Sequence, residues 1–110
     1  MDENRARTLL DTERAEVRRL LAGTEEAEAE DRSSADEVGD SADPAQALTA
    51  QGQDEAIAGS LRDRLATIDR ALKRLDDGTY GRSVRSGVPI PDARLEADPA
   101  AELTVEEASR

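Results

Sequence analysis

The sequence predicts an all-α fold: an antiparallel two-helix coiled-coil hairpin, then a small C-terminal region with a short terminal helix. Three observations carry this. Leu61, Leu65, Ile68, Leu72 and Leu75 recur in alternating steps of four and three, the a/d period of a helix that lays one narrow apolar seam on a partner. The aromatic fraction is 1 %, with Tyr80 alone, so a thick core lacks its usual filling and a thin seam of Leu, Ile, Val and Ala suits the composition better. Charged residues make up 37 % and the net charge is −11, a surface for an elongated, well-solvated protein or one with disordered parts.

The composition also excludes functions. With no Cys and no His, disulfides, zinc sites of thiolate and imidazole, and Ser-His or Cys-His nucleophile pairs are all ruled out. The acidic balance argues against binding nucleic-acid phosphates, which requires a basic footprint; direct sequence-specific DNA binding is not expected. No apolar run approaches the ~20 residues of a membrane span, and the N-terminus lacks a secretory layout. The expectation is a cytoplasmic protein with no membrane contact, no cofactor and no enzymatic activity. The paired acids Asp76 and Asp77 are better explained by their place at a helix end than by acid–base work.

In chain order, Asp2 to about Glu30 reads as a first helix. Ala6, Leu10, Val17, Leu20 and Thr24 sit near a/d positions, Leu9 and Leu21 widen the stripe, and Met1 to Arg5 reads as a fraying tail. From Asp31 to Pro44, Ser33, Ser34, Gly39, Asp40, Ser41 and Asp43 are turn formers and predict the connection between the helices. Residues 31–60 hold seven acids and one base, so this third contributes −6 and the acid gathers around the tip. Asp43 as N-cap with Pro44 at the first helical position is a favoured start for the second helix, which runs into the heptads and ends before Gly78. Gly52 and Gly59 are its weak points. At ~1.5 Å per residue the two helices are about 40 and 50 Å long and pair along most of their length.

Beyond Gly81, Pro91 opens a short helix over Asp92 to Ala97 with Leu95 facing inward, and Pro99 ends it. Thr104-Val105-Glu106-Glu107 has the form of a capping box, heading a last short helix. Val84, Val88, Ile90, Leu95, Leu103 and Val105 are the candidate core of this thin region.

The run Asp77-Gly78-Thr79-Tyr80-Gly81, followed by Pro89-Ile90-Pro91 and by Arg94-Leu95-Glu96-Ala97-Asp98-Pro99, resembles the DksA/TraR family of bacterial transcription regulators. The likeness is close from about Ile68 to Thr104 and weaker across the hairpin. It implies a hairpin over residues 1–77 on a small zinc-finger-type globule over residues 78–110. The hairpin would enter the secondary channel of RNA polymerase, with acidic residues at its tip, near residues 36–45, approaching the catalytic centre. The family's Asp-x-x-Asp-x-Ala tip motif fits Asp40, Asp43 and Ala45; the competing reading makes Asp40 a turn residue and Asp43 a helix cap. A monomer is expected, because the hairpin covers its own seam.

The departure from the family is equally informative. Its four zinc-binding cysteines fall at Ser83, Ser86, Thr104 and Glu107. Hydroxyls are poor Zn²⁺ ligands and one carboxylate does not make a site, so these positions are not expected to bind metal. The resemblance therefore implies a zinc-independent regulator whose partner is RNA polymerase. The alternative is a non-catalytic coiled-coil adaptor, or a decayed paralogue, binding another protein.

Overall fold

The computed structural model describes the backbone of residues 1–38 and 44–110, and the side chains of residues 1–24 and 52–110. Among the described residues there are four helices, α1 (Glu3–Val38), α2 (Pro44–Asp77), α3 (Asp92–Ala97) and α4 (Val105–Ala108). Among the described residues the only extended pairing is an isolated antiparallel bridge between Arg82 and Pro89. No helix of the described residues is long and apolar enough to cross a membrane.

α2 spans the expected residues, and Gly52 and Gly59 do not interrupt it. α1 is longer than expected, because the helix continues through Ser33 and Ser34 to Val38. Serine is only a mild helix breaker, and the sequence has no Gly or Pro between Thr24 and Val38.

The described chain divides into two compact units: Met1–Ala15 with Ala66–Arg110, and Glu16–Leu65. In the first, Ala6 and Leu10 of α1 and Ile68, Ala71, Leu72 and Leu75 of α2 are buried, with Leu10 and Ile68 at 0 % exposure. Burying such a side chain contributes ~1.5–3 kcal/mol. Two ion pairs flank this seam, Arg7 to Asp76 at 2.8 Å and Arg14 to Asp69 at 3.5 Å. A step of seven residues up α1 is matched by seven down α2, so the helices run antiparallel here, in fixed register.

In the second unit Val17 and Ala58 are buried. Leu20 does not join them: it is 47 % exposed, while Leu21 and Thr24 are half-buried. From Val17, a step of four to Leu21 and then three to Thr24 keeps the seam on one helix face. A step of three to Leu20 turns its side chain out.

α2 stops at Gly78, whose φ is 79°. There Thr79 N–H reaches back to the Arg74 carbonyl at 2.9 Å and Gly78 N–H to the Leu75 carbonyl at 3.3 Å, closing orphan carbonyls of the last turn. Behind it Ile90, Leu95 and Ala101 form a small core with Met1 and Tyr80 packed against it. Met1 to Arg5 are therefore held rather than frayed. The Arg5 guanidinium grips both Glu96 oxygens of α3 at 3.0 and 2.8 Å.

The expected core residues Val84, Val88 and Val105 are instead exposed, at 55, 47 and 54 %. The loop that carries the first two closes on its own backbone, Ser83 N–H to the Val88 carbonyl at 2.8 Å and Gly87 N–H to the Ser83 carbonyl at 2.9 Å, which leaves both valines outside. Ala100 and Ala101 take the buried places.

Tyr80 donates its hydroxyl to the Pro99 carbonyl at 2.8 Å, and burial pushes its phenol up to about 12. A raised phenol favours the fold below its ordinary value near 10, and that contribution is lost as pH rises through 12. Since Tyr80 is the sole aromatic residue, ultraviolet titration reads it alone. The phenolate is expected to appear well above pH 10, and a midpoint at the ordinary value would show an exposed phenol. Tyr80→Phe is expected to cost ~0.5–1.5 kcal/mol in thermal or urea unfolding.

Candidate functional site

The tip residues Asp40 and Asp43 lie outside the described residues, and so does the side chain of Ala45, which stands in the first turn of α2. The site with described geometry is the loop Ser83–Gly87 and the turn that starts α4.

Ser83, only 4 % exposed, is the centre of the loop. Its Oγ accepts hydrogen bonds from the backbone N–H of Arg85 at 3.1 Å and of Ser86 at 3.2 Å. The loop folds this way because Gly87 supplies a φ of 78°, a left-handed conformation that side chains disfavour. Val84 N–H then ties the loop to the Glu102 carbonyl at 2.9 Å.

The second half is the capping box at α4. Glu107 N–H donates to Thr104 Oγ1 at 3.2 Å, and Thr104 N–H donates to Glu107 Oε1 at 3.1 Å. The two halves meet on the other carboxylate oxygen, where Ser83 Oγ donates to Glu107 Oε2 at 2.9 Å, a bond spanning 24 residues of sequence. Ser86 joins through its backbone N–H on Ser83 Oγ. The four positions thus gather around one buried carboxylate, 9 % exposed. Arg85 also joins in. Its guanidinium donates to the Glu107 backbone carbonyl at 3.2 Å, not to the carboxylates of Glu106 or Glu107.

This donor set does not fit zinc. Zinc wants thiolate sulfur or imidazole nitrogen at ~2.0–2.3 Å. Here there are three hydroxyls and a single carboxylate, and both carboxylate oxygens already accept hydrogen bonds. Among the described residues no group of three or more His, Cys, Asp or Glu could hold a metal ion.

A second cluster fastens the site to α2, and sequence reasoning missed it. Arg70 holds Glu102 with two hydrogen bonds at 2.9 and 3.2 Å, and Arg74 lies 3.7 Å from the same carboxylate. Desolvation lowers the Arg74 guanidinium from its ordinary value, while the hydrogen bond from Arg70 lowers Glu102. Arg70 and Arg74 stand one turn apart on α2, a spacing the sequence displays; their long-range partner is not visible there. Arg94 similarly donates Nε to the Leu103 carbonyl at 2.7 Å, and Asp98 Oδ1 caps Ala100 N–H at 3.1 Å. The run Arg94 to Pro99 is thus a set of anchors for the segment leading to Thr104.

No family model matches the chain. In sequence it matches the RNA polymerase-binding transcription factor DksA of Caulobacter vibrioides, 44 % identical over 61 residues, covering 52 % of this chain and 43 % of that protein. It matches General stress protein 16O of Bacillus subtilis at 40 % identity over 65 residues, covering 59 % of this chain and 40 % of that one. The matches span less than half the length of these relatives. In structure, transcription factor DksA2 from Pseudomonas aeruginosa superposes with a TM-score of 0.84 at 28 % identity, covering 98 % of this chain and 81 % of that one. The chain is similar to these DksA proteins in sequence and in fold. It contains no cysteine, and it holds the loop Ser83–Gly87 to the start of α4 with hydroxyls and a carboxylate.

The hydrogen bonds from Ser83 and from the Thr104 backbone depress the Glu107 carboxyl from 4.5 to about 2. A depressed carboxylate stabilises the fold above its unfolded value, and the contribution is lost as pH falls through the folded one. Amide protection at Ser83–Gly87, relative to the free chain at the same pH, is therefore expected to fall between pH 4.5 and about 2 in the wild type. In Glu107→Ala it should already be low at neutral pH. Equal exchange in the two proteins at neutral pH would show that the carboxylate holds nothing.

Proposed function

We propose that this chain is a transcription regulator that binds RNA polymerase through the secondary channel, without zinc. On this reading residues 1–77 form a coiled-coil hairpin, with its acidic tip near residues 36–45, and residues 78–110 form a cysteine-less zinc-finger-like globule. The protein works as a cytoplasmic monomer and catalyses nothing itself. Asp40 and Asp43, with Ala45, approach the polymerase catalytic centre, where carboxylates find cations. The observation that carries the reading is the fold match to DksA2 over 98 % of the chain, joined to the sequence match to the RNA polymerase-binding factor of Caulobacter. The net charge of −11 supports a protein partner over DNA.

The test is binding to purified bacterial RNA polymerase, challenged with a known secondary-channel factor, followed by initiation in vitro. The wild type is expected to bind and to be displaced. Asp43→Asn is expected to bind equally well and lose most of the effect on initiation. Binding that the channel factor does not challenge would sink the channel reading, and an unchanged effect of Asp43→Asn would sink the tip mechanism.

A further inference from the structure

The polarity of the Ser83–Glu107 contact is dictated by what surrounds it. A serine hydroxyl has one proton to donate and two lone pairs to accept with. Both acceptor places on Ser83 Oγ are taken, by Arg85 N–H at 3.1 Å and Ser86 N–H at 3.2 Å. Its proton is therefore the only thing left to share, and it goes to Glu107 Oε2 at 2.9 Å. The group opposite must be an acceptor on that side. It must be an acceptor on the other side as well, since Glu107 Oε1 receives Thr104 N–H at 3.1 Å. Only a carboxylate accepts with both of its atoms; a carboxamide carries a donor on one. The usual interchange of Glu and Gln in a capping box is thus forbidden here by a residue 24 positions away.

From this geometry we infer that Glu107 is a positioning residue with two separable roles: it caps α4 through Oε1, and through Oε2 it cross-links α4 to the loop Ser83–Gly87. The charge pattern is the inverse of a metal knuckle, with an anion at the centre and donors around it. Arg85 on the loop stands at the Glu107 carbonyl at 3.2 Å, and Glu102 is engaged by Arg70 and Arg74, so neither supplies a substitute acceptor for Ser83. The inference does not depend on the polymerase reading.

The separating experiment is amide exchange by NMR on the whole chain, comparing wild type, Glu107→Gln and Ser83→Ala, each with and without EDTA. Glu107→Gln keeps the cap. The amides of Glu107, Ala108 and Ser109 are expected to retain wild-type protection, and those of Arg85 and Ser86 to exchange at least tenfold faster. Ser83→Ala removes the shared hydroxyl and should give the same split with Glu107 intact, which covers the case that the Gln variant is poorly folded. EDTA should change none of the three proteins. Wild-type protection at Arg85 and Ser86 in Glu107→Gln would overturn the inference, as would loss of α4 protection in Ser83→Ala, or loosening of the wild type by EDTA.

Discussion

The quadruple variant S83C/S86C/T104C/E107C is expected to take up one zinc ion and to become a protein that chelators loosen. The four positions already converge, joined by bonds of 2.9 to 3.2 Å around one point. Thiolates there have the identity and number that a closed tetrahedral site needs. The loop backbone that would present the first pair is set by Gly87 and by its own hydrogen bonds, and the second pair spans the first turn of α4. Structural zinc in small modules contributes ~10–16 kcal/mol of apparent binding free energy at neutral pH, far more than the hydrogen bonds it would displace at ~0.5–1.5 kcal/mol each. Zinc-loaded variant should melt above the wild type, and EDTA should drop it below, because the apo form has lost the carboxylate cross-link. No zinc uptake at neutral pH would mean that the four positions do not share a centre in solution.

The two halves of that site were unequally legible in the sequence. Thr104 and Glu107 announce a capping box by local spacing alone, and the structure contains it. The bond from Ser83 to Glu107 is invisible to such reasoning, because nothing local records a contact across 24 residues. Resemblance placed the four positions in one motif, yet chemistry had to say what joins them. The long helices were legible wherever period decided: α2 runs Pro44–Asp77 as the heptads and the N-terminal proline indicate. The reading failed where composition was allowed to outvote propensity, at Ser33 and Ser34, which α1 absorbs. It failed again for the exposed valines, because a loop closed by its own backbone needs no apolar side chain inside. Asp40 and Asp43 fall outside the described residues, and the experiment with Asp43→Asn is what addresses them.

The second large effect is expected in the seam. Leu10→Ala should cost ~3–5 kcal/mol, the range for removing a fully buried leucine whose surroundings collapse poorly. Leu10 is wholly buried, on the α1 stretch that the pairs Arg7–Asp76 and Arg14–Asp69 hold against α2. Against a whole-domain stability of ~5–15 kcal/mol, this leaves little. Urea unfolding followed by circular dichroism measures it, with Leu20→Ala as the control. Leu20 is 47 % exposed, so its loss should stay within ~0.5 kcal/mol. Similar costs for the two variants would mean that the seam is not laid as the burial pattern has it.

The register between α1 and α2 also limits how this chain can change length over generations. Arg7 with Asp76, and Arg14 with Asp69, count off equal distances in opposite directions. One residue gained between Arg7 and Arg14 would swing everything after it by about 100° around the helix axis, turning Leu10 or its neighbours toward water. Only a whole heptad gained in both stretches would keep the spacing and the seam face together. Insertions and deletions here should therefore come as coupled heptads when descendants of this sequence are laid side by side.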